Sequence, residues 1–310
     1  MPEGVVQVGP LGALSAAVLL GVIAVLAAAF DGVVGARLEG RRARSGVAIP
    51  LWEAARLLRQ RRRTIVAADS LLWRVGVVGL LVVALLKVVV VPFGHWTVAD
   101  LSVGVVWFNA MDVMVWALVW MVGWGANSAH ALIGGYRFLG QALSYELPLM
   151  FALTGPAIAA GSLRVADVVA AQKDLWFVVW MPVAFMVFCA GVVAFSVWGP
   201  LSPAAGRDIA GGVLSELSGV DRLLLMAGRY ALLSAGAGFA AALFLGGGSG
   251  PFAPAWVWTL LKTLAVLAAF IGVRRLFPVV RPDRLAEVAW IVVLPAVLVQ
   301  ILIVSVVVVR

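Results

Sequence analysis

The sequence predicts a polytopic all-α membrane protein, and three observations lead there. The chain of 310 residues is 64% hydrophobic and 12% charged, with a mean hydropathy of +1.08. A soluble domain would carry about a quarter charged residues. Apolar runs of some twenty residues recur along the chain, each long enough to cross a hydrocarbon core of about 30 Å. The basic residues, finally, gather on alternate loops between those runs, as the positive-inside rule requires. Backbone groups in lipid must be satisfied within their own segment, so the runs read as helices.

Eight spans follow in order, at about 9–30, 71–93, 103–124, 141–161, 176–198, 225–246, 254–277 and 287–309. The first precedes a basic loop and lacks a small-residue cleavage site, so it reads as a retained span and not a signal peptide. Within residues 49–62, Leu51, Ala54, Ala55 and Leu58 fall on one side and Glu53, Arg56, Arg59 and Gln60 mostly on the other. That spacing predicts an amphipathic helix on the membrane surface. The basic run that follows, QRRRT, suits attraction to anionic lipid. Spans 2 and 3 carry Lys87 and Asp112. Lys87 is expected to snorkel to the outer interface, and Asp112 to hydrogen-bond a neighbouring helix.

The stretch GWGANSAHALIGGYRFLGQALSYELP, Gly123–Pro148, reads as three pieces. Gly123 and Trp124 close span 3, a loop bears Arg137, and SYELP re-enters the membrane with Glu146. Span 5 contains the lone Cys189, which makes an intrachain disulfide impossible and reads as a small buried hydrophobe. Residues 199–224 form a second polar region, and span 7 holds Lys262. No internal repeat and no separate soluble domain is visible, so residues 1–310 form one membrane domain.

The net charge of +8 follows from topology. Of the 23 Lys and Arg residues, only Arg164, Lys173 and Arg310 fall on the opposite loops, with Lys87 and Lys262 inside spans. This distribution predicts both termini on the outer side. No basic patch alternates with aromatics on a polar domain, which argues against nucleic-acid binding. No phosphate loop, CxxC, HExxH or GxSxG occurs, and His95 and His130 are too far apart for a convincing metal site. No catalytic residue, flavin site or metal site is therefore predicted. What remains is a set of ionisable residues in or beside spans: Asp31, Lys87, Asp112, Glu146, Asp208, Glu216 and Lys262. Charge inside a membrane is costly, so each is a functional candidate. A carboxyl in that setting can hold a proton, because low polarity disfavours its charged form.

These residues carry a resemblance. The chain resembles the H-type membrane subunit (also called subunit 1) of NADH-quinone oxidoreductase, respiratory complex I, as a divergent bacterial member. Gly123, Trp124, Asn127, Leu132, Gly134, Arg137, Gln141, Ser144, Tyr145 and Glu146 match the family's G-W-x-x-N…R-x-x-x-Q-x-x-S-Y-E pattern without a gap, with Ala129 and His130 at its lysine and tyrosine. Asp31, Arg37, Glu39 and Arg41 meet an upstream motif, and Glu53 and Arg56 stand for an Asp and a Lys. Toward the C-terminus Phe244–Gly247, Lys262, Arg274, Pro278, Arg281, Asp283, Leu285, Trp290 and Pro295 keep family spacing. The similarity covers roughly residues 30–300.

The loop after span 5 departs from the pattern. Asp208 and Glu216 keep the last two acidic places, followed by Ser218 and Gly219. Phe195 stands for the family's first Glu, Val197 for its Asn, Trp198 for its Arg and Ser202 for its Asp; Arg229 stands where an acid is expected. The resemblance implies a subunit without a redox centre of its own, serving a proton-translocating NADH:quinone oxidoreductase. It implies that Arg37, Arg41, Glu53 and Arg56 shape the quinone site and its partner contacts. Arg137, Tyr145, Glu146, Asp208, Glu216 and Lys262 would relay protons or charge. Ubiquinone or menaquinone is the implied cofactor. Iron–sulfur subunits of the peripheral arm, antiporter-like and small membrane subunits, and lipid are the implied partners, in a bacterial plasma membrane. Two alternatives stay open: the homologous membrane subunit of a hydrogenase-type ion-pumping complex that binds no quinone, favoured by the altered loop, and an independent transporter.

Overall fold

The computed structural model describes residues 5–309. It is an all-α bundle, apart from a two-residue parallel pairing of β1 (Val6–Gln7) with β2 (Trp96–Thr97). The helices are α1 (Pro10–Leu38), α2 (Ala43–Val47), α3 (Ile49–Arg59), α4 (Ser70–Val88), α5 (Gly104–Gly125), α6 (Ala129–Ala160), α7 (Val165–Ala170), α8 (Phe177–Trp180), α9 (Pro182–Phe195), α10 (Gly219–Phe244), α11 (Ala255–Leu276), α12 (Pro282–Val288) and α13 (Leu294–Val309). Among the described residues, seven helical stretches are long and apolar enough to cross a membrane, the last running from α12 through a π-turn at Ala289–Val293 into α13. Pro295 offers no N–H to Ile291, which accounts for a changed hydrogen-bond register there.

The most deeply buried helix is α10, packed against α4, α11, α1 and α9. Its small residues allow this. A Cβ at Gly228 would lie 2.9 Å from Leu80 Cβ and 3.1 Å from the Leu81 nitrogen of α4. Close backbone approach is how helices gain packing energy where lipid supplies no hydrophobic drive. The outermost helices are α1 and the α12–α13 stretch, whose exposed Val, Leu and Ile side chains suit hydrocarbon.

Two expectations need correction. Residues 129–140 are helix, not loop, so Arg137 sits within one long α6. The buried stripe Ala131, Gly134, Phe138, Gln141, Tyr145 has helical spacing and packs that segment inward. The fifth span is not continuous. Met181 leaves helical geometry (φ −122°, ψ 48°) ahead of Pro182, leaving α9 about 21 Å long. Gln300 of α13 mends the break: its Oε1 accepts the Ala184 N–H at 2.5 Å and its Nε2 donates to the Trp180 carbonyl at 3.4 Å. On the surface helix, Leu57 is the buried residue, whereas Leu51, Trp52 and Leu58 are exposed.

Candidate functional site

Two polar regions lie inside this apolar frame. The first is a cavity of about 610 Å³ at the basic end of the bundle, between α1, α3, α4 and α10. Its walls are largely Leu and Ala, and its polar rim is formed by Asp31, Glu39, Arg41, Glu53, Arg222, Tyr230 and Arg275. Asp31 organises the inner part. Its carboxylate accepts from Arg274, from Arg275 Nη2 at 3.0 Å and from the Tyr230 hydroxyl at 3.2 Å. This works because α1 continues to Leu38, bringing Asp31 beside the C-terminal arginines of α11.

Of the four expected quinone-site residues, Arg41 and Glu53 line the cavity, and Arg37 and Arg56 do not. Arg41 pairs with Glu39. Arg56 grips Glu53 through a two-pronged contact, Nη2–Oε1 2.5 Å and Nε–Oε2 2.8 Å. That grip holds the Glu53 carboxyl below the usual carboxylate range and raises the Arg56 guanidinium in turn. Tyr230 and Arg275 join the site without having been expected there; the arginine pair at the end of α11 is their only signal in the sequence. Phe195 and Trp198 are both buried and neither lines the cavity. Trp198 stands behind the wall, edge-on to Tyr230 at 5.0 Å and donating through Nε1 to the Phe270 carbonyl at 3.1 Å.

The second region is sealed in the middle of the bundle. Lys87 Nζ of α4 meets Asp112 Oδ1 of α5 at 2.6 Å, with side chains 0% and 1% exposed. The expected snorkelling of Lys87 is therefore incorrect. The ammonium has a carboxylate partner and lies 4.0 Å from the ring centroids of both Phe108 and Phe195, so it need not reach an interface. Beside it, Asn109 Nδ2 donates to Glu146 Oε1 of α6 at 3.1 Å. Glu146 and Tyr145 are buried, and Lys87, Asp112 and Glu146 act on one another electrostatically.

The remaining relay candidates lie elsewhere. Arg137 pairs with the exposed Asp208 at 2.6 Å, which pulls the Asp208 carboxyl below its usual range. Glu216 takes Arg63 at 2.6 Å and the Ser128 hydroxyl at 3.0 Å. Lys262 donates to the carbonyls of Leu245, Gly247 and Ser249 at 2.6, 3.0 and 2.7 Å, capping the carbonyl end of α10. Of the six, Tyr145 and Glu146 lie in the buried region and Arg137 and Asp208 pair on the surface, while Glu216 and Lys262 stand apart from both. Arg229 is spent on the Ser196 and Val197 carbonyls at the turn after α9. Among the described residues, no group of three or more His, Cys, Asp or Glu side chains is arranged to hold a metal ion.

A family model described as NADH dehydrogenase matches residues 11–305. The H 1 subunit of NADH-quinone oxidoreductase from Geobacter metallireducens is 35% identical over 269 residues, covering 83% of this chain and 82% of the relative. The H 2 subunit from Geobacter sulfurreducens is 36% identical over 269 residues, with the same shares. The H subunit from Geobacillus thermodenitrificans is 33% identical over 310 residues, covering 96% and 93%.

Proposed function

This chain belongs to the NADH dehydrogenase family, as an H-type membrane subunit of NADH-quinone oxidoreductase, and on that premise we propose that it forms the membrane side of the enzyme's quinone site and couples quinone reduction to proton translocation. The cavity between α1, α3 and α10 carries this reading. Its volume of about 610 Å³ lies in the range of small-molecule sites, about 300–1,000 Å³, which are apolar with a few convergent polar groups. The residues fit a quinone: apolar walls for an isoprenoid tail, and Arg41, Arg275 and Tyr230 as donors for ring carbonyls. A quinone bound there accepts electrons and protons. The chain's own part is to orient the headgroup with these donors, to hold Asp31 as a fixed counter-charge, and to let Glu146 respond by gaining or losing a proton.

The rest of the assignment follows the same premise. The basic end faces the cytoplasm of a bacterial cell and receives the peripheral iron–sulfur subunits. Both termini lie outside, and the exposed apolar faces of α1 and α13 meet lipid and other membrane subunits. The quinone-free, hydrogenase-type alternative drew its support from the altered loop after span 5, and a cavity blocked by Phe195 or Trp198 would have added to it. Neither side chain lines the cavity, so the cavity is not blocked by them.

Ala227 lines the cavity, and Ala227→Phe in the purified complex would fill it. The expected outcome is a quinone KM raised about tenfold, equivalent to about 1.4 kcal/mol, with electron transfer from NADH to an artificial acceptor retained. A quinone KM equal to wild type would place the quinone elsewhere.

A further inference from the structure

Lys87 and Asp112 have no role in the relay set out above, yet the helices bring them to Glu146. From this geometry we infer that Lys87, Asp112 and Glu146 form a single proton-binding site in the middle of the bundle, with Lys87 as a positioning residue shared between two carboxylates. The inference rests on the reading of Glu146 as a coupling residue and extends it.

The first argument is charge. The ammonium of Lys87 and the carboxylate of Asp112 cancel, and both are sealed from solvent. An ionised Glu146 would leave the site one negative charge in excess, which apolar surroundings oppose strongly. The site is neutral when Glu146 holds one proton. Release of that proton breaks one O–H bond of the Glu146 carboxyl and passes the proton to a water molecule; the carboxylate left behind gives the site one excess negative charge, tempered by the nearby Lys87 ammonium.

The second argument is what the side chains leave unmade. Asp112 Oδ2, Glu146 Oε2 and Asn109 Oδ1 are all buried without a hydrogen-bond partner. A clamp that served only to hold α4 against α5 would satisfy both oxygens of its carboxylate, because an unmet buried polar group is costly. Here one oxygen of each carboxylate is engaged and the other is free to receive a proton. Phe108 and Phe195 confine the ammonium from two sides, and Phe108 is itself stacked on Phe239 of α10 at 3.8 Å. The confinement limits Lys87 to small excursions between its partners.

The test uses the whole complex reconstituted in vesicles, reading protons translocated per NADH oxidised. The double variant Lys87→Met/Asp112→Asn removes both charges, so no ion is left unpaired. It is expected to assemble and to lose most of its proton translocation, as Glu146→Gln does, with the triple variant no worse than Glu146→Gln alone. A double variant with wild-type stoichiometry, or a triple variant clearly below Glu146→Gln, would overturn the shared site. Wild-type stoichiometry in Glu146→Gln itself would instead remove the coupling role of Glu146, and with it this inference. Should the double variant fail to assemble, Asn109→Leu decides. It strips the hydrogen bond from Glu146 without touching a charge, and it is expected to lower the stoichiometry; no change would count against the site.

Discussion

The cavity and the mid-bundle cluster are built from the same residue types on opposite plans. In the cavity, one carboxylate gathers three donors: Asp31 takes Arg274, Arg275 and Tyr230. In the cluster, Lys87 bonds Asp112 and Asn109 bonds Glu146, and one oxygen of each carboxylate goes without a partner. The first arrangement is over-supplied with donors and partly open to solvent, so its charges are fixed and any added ligand meets a set geometry. The second has fewer donors than acceptors among its protein groups. Movement of a proton there changes the local field in low-dielectric surroundings, where charge acts most strongly. A fixed anchor beside the ligand and a changeable charge away from it are complementary halves of a coupling device.

The largest expected effect comes from breaking the sealed pair by one partner. Lys87→Met leaves Asp112 ionised or forced to take a proton within an apolar frame. Losing one member of a buried pair costs on the order of 3–5 kcal/mol. The expected outcome is a sharp fall in assembled complex and in its thermal stability in detergent. Asp112→Asn alone should be milder, because Glu146 and two aromatic rings still face the ammonium. Equal and negligible losses in both singles would mean that the two regions are not built differently.

Asp31→Asn tests the other half. The charged hydrogen bonds it removes are worth about 1.5–3 kcal/mol each when fully buried. The two arginines here are about a third exposed, at 37% and 30%, so solvent screening brings the total nearer 1–3 kcal/mol. Assembly is expected to persist, because the freed arginines can reach water, while the quinone KM rises about tenfold. If Asp31→Asn proves more damaging to assembly than Lys87→Met, the distinction between anchor and changeable site is inverted.

The sequence made one of these regions more legible than the other. Helix positions follow from apolar length, which is a local property, and α1, α4, α5, α10 and α11 fall close to the expected runs. The polarity of residues 129–140 misled because burial against neighbouring helices, not hydropathy, makes that segment helical; Gly134 is there so that the turn after α9 can approach, with the Val213 nitrogen 2.6 Å from where a Cβ would sit. The break at Met181–Pro182 was signalled by the proline, but its repair by Gln300 depends on a residue more than a hundred positions away. In the cavity, Arg41 and Glu53 were found through motif positions, whereas Tyr230 and Arg275 needed the crossing of α10 and α11 past α1. The cluster's charges were all visible as intramembrane anomalies. That Lys87 would find Asp112 was not, since hydropathy places a lysine near a helix end and says nothing of which neighbour it faces.

The smallest expected effect tests whether charge pairs on the basic surface belong to either plan. Arg137 and Asp208 meet at 2.6 Å, with side chains 30% and 62% exposed, so water and salt screen the contact. The Asp208 carboxyl is held below its ordinary value of 3.8, chiefly by its hydrogen bond from Arg137. A depressed carboxylate contributes stability that is present above the unfolded value and is lost as pH falls through the folded one. Between about pH 5 and 8 the contribution is therefore constant, and any pH dependence of coupling in that range belongs to another group. Asp208→Asn should leave assembly and proton stoichiometry at wild type. Its one signature should be faster amide exchange in the short turns of residues 203–214, and added salt should produce the same quickening in the unmodified protein. A stoichiometry that drops in Asp208→Asn would instead extend the changeable plan to the surface and make the loop after α9 part of the relay.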